Sequence, residues 1–140
     1  MSQFTWMNDH QFYTLTTVTD QLDEMILARI GANDPSFNLR NDPTIILRKK
    51  DIQNTTFVSV LETHGNYNFV TERAKNTYST IDKVAITYQD DNYIAVTIID
   101  KYGVEVLMIV NLNNKDTKQN HEITIQNKVY KWTGNYLLIK

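Results

Sequence analysis

"KVAITYQDDNYIAVTIIDKYGVEVLMIVNL", residues 83–112, decides how this chain folds. It contains three apolar runs, each short and rich in β-branched and aromatic residues, which is the composition of strands. Turn formers separate them: Asp90–Asp91–Asn92, then Asp100–Lys101–Tyr102–Gly103. Gly103 can take the left-handed backbone that a short hairpin loop requires. Along the third run Val104, Val106, Met108 and Val110 share one face, while Leu107 and Ile109 share the other. Both faces are apolar, so this strand is expected to be central and covered on both sides.

The pattern continues in both directions. "FTWMN" (4–8), "QFYTLTTVT" (11–19) and "DEMILARI" (23–30) read as successive strands, and the connectors "DH" and "DQL" are short enough for hairpins. A helix over "TDQLDEMILARIG" (19–31) is the competing reading, with Leu22, Met25, Ile26 and Ile30 at helical spacing. The strand reading is preferred because strands flank the segment. "TIILRKK" (44–50) and "TTFVSVLETH" (55–64) follow. After the polar loop "NNKDTKQN" (113–120) come "HEITIQ", "KVYKW" and, past the turn "TGN" (133–135), "YLLIK". With no repeat or linker, the expectation is one all-β domain over residues 1–140, an antiparallel β-sandwich. The chain opens on aromatic strand residues in mid-pattern, which suggests a piece of something longer.

Composition narrows the function. Net charge is −2 and the pI is about 5.9, so there is no electrostatic footprint for nucleic acid. No run approaches the roughly 18 apolar residues of a membrane-spanning helix. The start lacks the cationic and continuous apolar regions of a signal peptide. The absence of cysteine excludes disulfides, thiolate catalysis and cysteine-held metal.

Residue types that do chemistry are present but scattered. His10, His64 and His121 stand at no metal-ligand spacing. His10 in a turn and His121 after a polar loop read as solvated. His64 ends a strand in "ETHGNYNF", with Glu62 and Asn66 close by and Gly65 allowing a sharp bend. It is a candidate site residue, against the plainer reading of a strand-end histidine bonded to backbone. No serine sits in a glycine-flanked elbow, and no nucleotide-binding glycine loop occurs. Glu62, Glu72 and Glu105 could serve a glycosidase only as a facing pair, which nothing in the spacing provides; they read as surface charge at strand ends. Aromatics such as Trp6, Tyr13, Tyr67 and Tyr93 could stack on sugars, but most sit where a strand aromatic fills core.

The least ordinary stretch is "GANDPSFNLRNDP" (31–43). Gly31 and Asn33 accept unusual backbone angles, and Asp34-Pro35 and Asp42-Pro43 start turns. Phe37 and Leu39 would pin the loop inward while the Arg40 fork ties its carbonyls or carboxylates. A structural tie is the first reading, and ligand contact through Asn33, Asn38 and Arg40 the second.

"ARIGANDPSFNLRNDPTIILRKK" followed by "TTFVSVLETHGNYN" resembles the C-terminal end of heparinase II/III-like polysaccharide lyases, closest to the alginate and oligoalginate lyases of polysaccharide lyase family 17. The match runs from Gly31 to Arg40, then through Thr56, Phe57, Ser59, Val60, Glu62, His64 and Gly65. The resemblance implies a C-terminal antiparallel β-sandwich that packs against an upstream α/α-toroid. Such enzymes cleave uronate polymers by β-elimination, with a Tyr or His base and groups that stabilise the enolate-like charge. Family members can hold zinc through two histidines and an aspartate of the β-domain. Those catalytic and metal positions lie upstream of what this chain matches, so it is expected to hold no catalytic residue, metal ligand or cofactor. The implied partners are the toroid and a uronate oligosaccharide, and the implied location of the parent enzyme is periplasmic or secreted. By this reading the segment supports a lyase without turning over alone. Substrate contact would fall to Asn33, Asn38, Arg40 and His64. A free-standing carbohydrate-binding sandwich is the alternative.

Overall fold

The computed structural model describes residues 1–20, 23–31, 42–113 and 116–140. Twelve strands are present among them, and every pairing is antiparallel. The fold is an all-β, antiparallel β-sandwich. The chain divides into two compact units, 1–18 with 57–140, and 19–56.

In the larger unit, β1 (Ser2–Asn8), β2 (Gln11–Thr17), β5 (Ser59–Asn68) and β6 (Arg73–Lys75) form one sheet in the order β1-β2-β5-β6. A second sheet, ordered β12-β9-β8-β7, contains the stretch that opened the reading: β7 (Ile81–Gln89), β8 (Tyr93–Asp100) and β9 (Glu105–Asn111), with β12 (Tyr136–Ile139) at its edge. The two expected turns are in place. The Asp90 carboxylate accepts the Asn92 and Tyr93 amides at 2.8 and 2.7 Å, and that of Asp100 accepts the Tyr102 and Val104 amides, each at 2.8 Å. Short acidic side chains satisfy turn amides in this way. Gly103 has φ +81°, the left-handed value its place in the loop demands.

The second sheet is covered on both faces, as the two apolar faces of residues 104–110 require. On one face Ile81, Val84, Ile94 and Val96 are buried, with Val18, Val58 and Val60 of the first sheet's side packed on them. On the other, Ala95 and Ile109 are fully buried beneath the hairpin of β10 (Asn120–Ile125) and β11 (Lys128–Thr133), which contributes Ile123, Ile125 and Trp132. Ala95 and Ile109 are cross-strand partners, so the small side chain leaves room for the large one. Ile109→Val removes one methylene from this layer. It should lower the unfolding free energy by about 1 kcal/mol in urea titrations, with the slope unchanged.

The smaller unit is the hairpin of β3 (Asp23–Ile30) and β4 (Asp42–Lys49), in register from Asp23↔Lys49 to Ile30↔Asp42. Residues 23–30 are therefore strand and not helix. Ion pairs line one end of the ladder: Arg48 and Lys50 on Glu24, and Lys49 on Asp20 at 2.9 Å. The expected hairpin between residues 11–19 and 23–30 does not form, because β2 pairs with β1 and β5 while β3 pairs with β4.

Candidate functional site

The strand that carries His64 is irregular just beyond it. Gly65 has φ +56°, and the β2–β5 register slips there, so that Phe12 faces His64 while Gln11 faces Asn66. The extra residue is a β-bulge, which bends a strand without ending it. Gln11 Nε2 donates to the carbonyls of His64 and Gly65 at 2.9 and 2.7 Å, which occupies groups the ladder leaves unpaired. The expected bend at Gly65 is thus a bulge inside a strand that runs on to Asn68.

Ladder partners point to the same side, and His64 alternates with Val60 and Glu62, which puts it on the face turned towards the second sheet; the bulge follows it and turns Asn66 to the outward face. His64 is buried, with its ring parallel to that of Phe12 at 6.3 Å. Nδ1 lies 2.8 Å from the Asn76 carbonyl, which can only accept, so Nδ1 carries a hydrogen. Nε2 lies 2.7 Å from Thr14 Oγ1, and Thr14 Oγ1 is 2.7 Å from Thr5 Oγ1. Both ring nitrogens are engaged inside the protein. The plainer reading describes what is seen: a histidine that ties β5 to the backbone beyond β6.

Glu62 extends this cluster and is not the surface charge its place in the sequence suggests. Its carboxylate accepts the Ser79 hydroxyl, the Thr80 hydroxyl at 2.5 Å and the Thr80 amide at 3.0 Å. Burial works against its ionisation. The Ser79 and Thr80 donors, with His64 nearby, outweigh that and hold the carboxyl below its ordinary value. Glu72 and Glu105 are exposed, as expected. His121 corrects the sequence reading, since it is 4% exposed and not solvated. Its Nδ1 is 3.0 Å from the Tyr93 hydroxyl, and its ring stacks on Trp132 at 5.0 Å. His10 is exposed, in the β1–β2 turn.

The opposite, outward face of the first sheet is of another kind. Phe4, Leu15 and Leu61 form one cross-strand row, and Leu61 is 60% exposed. The next row is Trp6, Tyr13 and Thr63; the two rings lie nearly parallel at 5.8 Å, and Trp6 still shows 43% of its surface. A third row runs Asn8, Gln11, Asn66 and Lys75, with Asn68 and Arg73 paired beyond it. Lys75 and Arg73 are exposed, and among the described residues neither has an acidic partner within ion-pair distance. The aromatic pair was legible as two candidates among many. The cations were not, because the strand that carries them, β6, is three exposed residues with no apolar pattern.

Asn33, Asn38 and Arg40 lie outside the described residues, so of the four expected contact residues only His64 can be placed. Among the described residues no three histidine, aspartate or glutamate side chains converge as a metal ion needs. Among the described residues no helix is long and apolar enough to cross a membrane.

No protein-family model matches the sequence. The chain is 32% identical, over 131 residues covering 94% of its length, to an alginate lyase of Stenotrophomonas maltophilia (strain K279a), of which that stretch is 17%. It is 31% identical, over 134 residues covering 93% of its length, to an exo-oligoalginate lyase of Saccharophagus degradans (strain 2-40), of which that stretch is 18%. This chain is therefore a sequence relative of alginate lyases that spans less than a fifth of the length of either.

Proposed function

We propose that this chain is the C-terminal β-sandwich segment of a heparinase II/III-like lyase of the alginate-degrading branch, and that it supports an α/α-toroid in which the chemistry resides. The observation that carries the reading is the asymmetry of the similarity: nearly all of this chain aligns, with under a fifth of each lyase. Two further features support it. β-Elimination needs a base that can reach a substrate proton, and His64 has both nitrogens committed within the fold. The β9–β12 flank of the second sheet also leaves an apolar strip open, with Met108, Leu138 and Tyr136 at 37, 59 and 61% exposure. Apolar strips continuous with a core are common where a neighbouring domain docks.

Lyase activity on alginate oligosaccharides, followed as absorbance of the unsaturated product, tests the reading. The 140-residue chain should be silent, and the same chain with the upstream domain restored should be active. Turnover by the 140 residues alone would sink it.

A further inference from the structure

We propose that the outward face of the β1-β2-β5-β6 sheet is a docking surface for acidic oligosaccharides of the uronate class. The face carries three chemistries in adjoining rows. Trp6 and Tyr13 supply ring surface on which the C–H face of a sugar stacks. Asn8, Asn66 and Thr63 are exposed and offer donors and acceptors suited to hydroxyls. Lys75 and Arg73 offer the positive charge that a carboxylate seeks, and Arg73 can meet it with two parallel bonds.

The order across the sheet matters. Trp6 is on β1, one edge, and Lys75 and Arg73 are on β6, the other. Three strand spacings separate the edges, roughly 14 Å, a span for an oligosaccharide and not for a single sugar. The carboxylates of Asp9 and Glu72 belong to the turns beyond the ladder and that of Glu62 to its inward face, so the strand charges on the outward face are both positive. Charge complementarity selects the occupant. A second copy or an apolar protein surface would use the Phe4, Leu15 and Leu61 row and would leave the two cations unmatched. None of these residues belongs to the His64 cluster, whose side chains turn to the opposite face. The choice of uronate rests on the relationship to alginate lyases; the choice of an acidic sugar rests on the face itself.

Calorimetric titration of the chain with an alginate tetrasaccharide tests this, beside a neutral gluco-oligosaccharide of equal length. Binding to the acidic sugar is expected, weakening as salt rises, with no binding to the neutral one. Trp6→Ala should weaken it about tenfold, the loss of one well-buried contact. The Arg73→Ala, Lys75→Ala pair should weaken it at least as much and flatten its salt dependence. Those two side chains are exposed, so this variant decides the matter even if Trp6→Ala unfolds. Equal affinity for both sugars, affinity indifferent to both variants, or no binding at millimolar sugar would overturn the proposal. So would self-association in sedimentation that Trp6→Ala abolishes, which would assign the face to a second copy. Absorbance of the same samples separates this test from the previous one, since binding without turnover leaves both readings standing and turnover removes only the first.

Discussion

Gly65→Ala should destabilise the protein by about 4 kcal/mol, a large share of the 5–15 kcal/mol that holds a domain of this size together. Two effects add. A φ of +56° costs an L side chain about 1–2 kcal/mol. A methyl group at this position would also be driven into the backbone carbonyl oxygens of Lys75 and Asn76, with the Asn76 carbonyl carbon only 2.7 Å away. Lys75 belongs to β6, which pairs with β5 through three residues, and the Asn76 carbonyl is the one that holds His64 Nδ1. The backbone can yield only by giving up that bond or the β5–β6 pairing. Gly103→Ala is the control: φ is positive there too, at +81°, but nothing lies within 4 Å, so the strain stands alone at about 1 kcal/mol. Urea unfolding of both variants gives the comparison. If the two losses agree within error, the bulge is not tightly enclosed and the placement of His64 does not depend on it.

That bulge also marks how far the fold was legible in the residues. Apolar alternation in 104–110 specified a central strand, because a strand covered on both faces must be apolar on both. The Asp90 and Asp100 turns could be read because each acidic side chain satisfies amides two to four residues on. Local signals cannot report distant pairing. The β1–β2 hairpin follows from its short connector at Asp9 and His10, but on its other side residues 11–17 pair with the distant β5 and not with 23–30, a choice no local signal reports. Gly65 looked like a strand end because a glycine offers the same φ to a bend and to a bulge. Only the partner strand, with Gln11 closing over the extra carbonyls, decides between them.

The candidate sites divide along the same line. His64 stands out by its sequence neighbours, but the groups bonded to its ring are distant in sequence: Thr14, itself backed by Thr5, and the Asn76 carbonyl. His121 was read as solvated because a polar loop precedes it. Its burial comes from Tyr93 and Trp132, brought in by the sheet and the hairpin. The outward face could not be assembled from sequence, since Trp6 and Lys75 meet on one surface only through three successive registers.

Glu62 provides the second large effect, and it is a pH effect. Its folded carboxyl sits below the ordinary value of 4.5, so the unfolded chain binds its proton more readily than the folded one. The stability it contributes is therefore fully present above about pH 4.5, and is lost as pH falls through the lower folded value. Glu62→Gln keeps the shape and removes the charge, which weakens the bonds from Ser79 and Thr80 and leaves at least one donor poorly met. At neutral pH the variant should be about 2–3 kcal/mol less stable, the scale of charge-assisted bonds exchanged for neutral ones in a partly buried cluster. The gap between wild type and variant should then narrow on acidification, because acid does to the wild type what the substitution has already done. Taking the difference isolates Glu62 from Glu24 and Asp90, whose carboxyls are also held low, by Lys50 and Arg48 and by Tyr88 respectively. Unfolding free energies at pH 7 and near pH 3 measure it, and a gap that stays constant between them would mean that the Ser79–Thr80 cradle does not favour the ionised carboxylate.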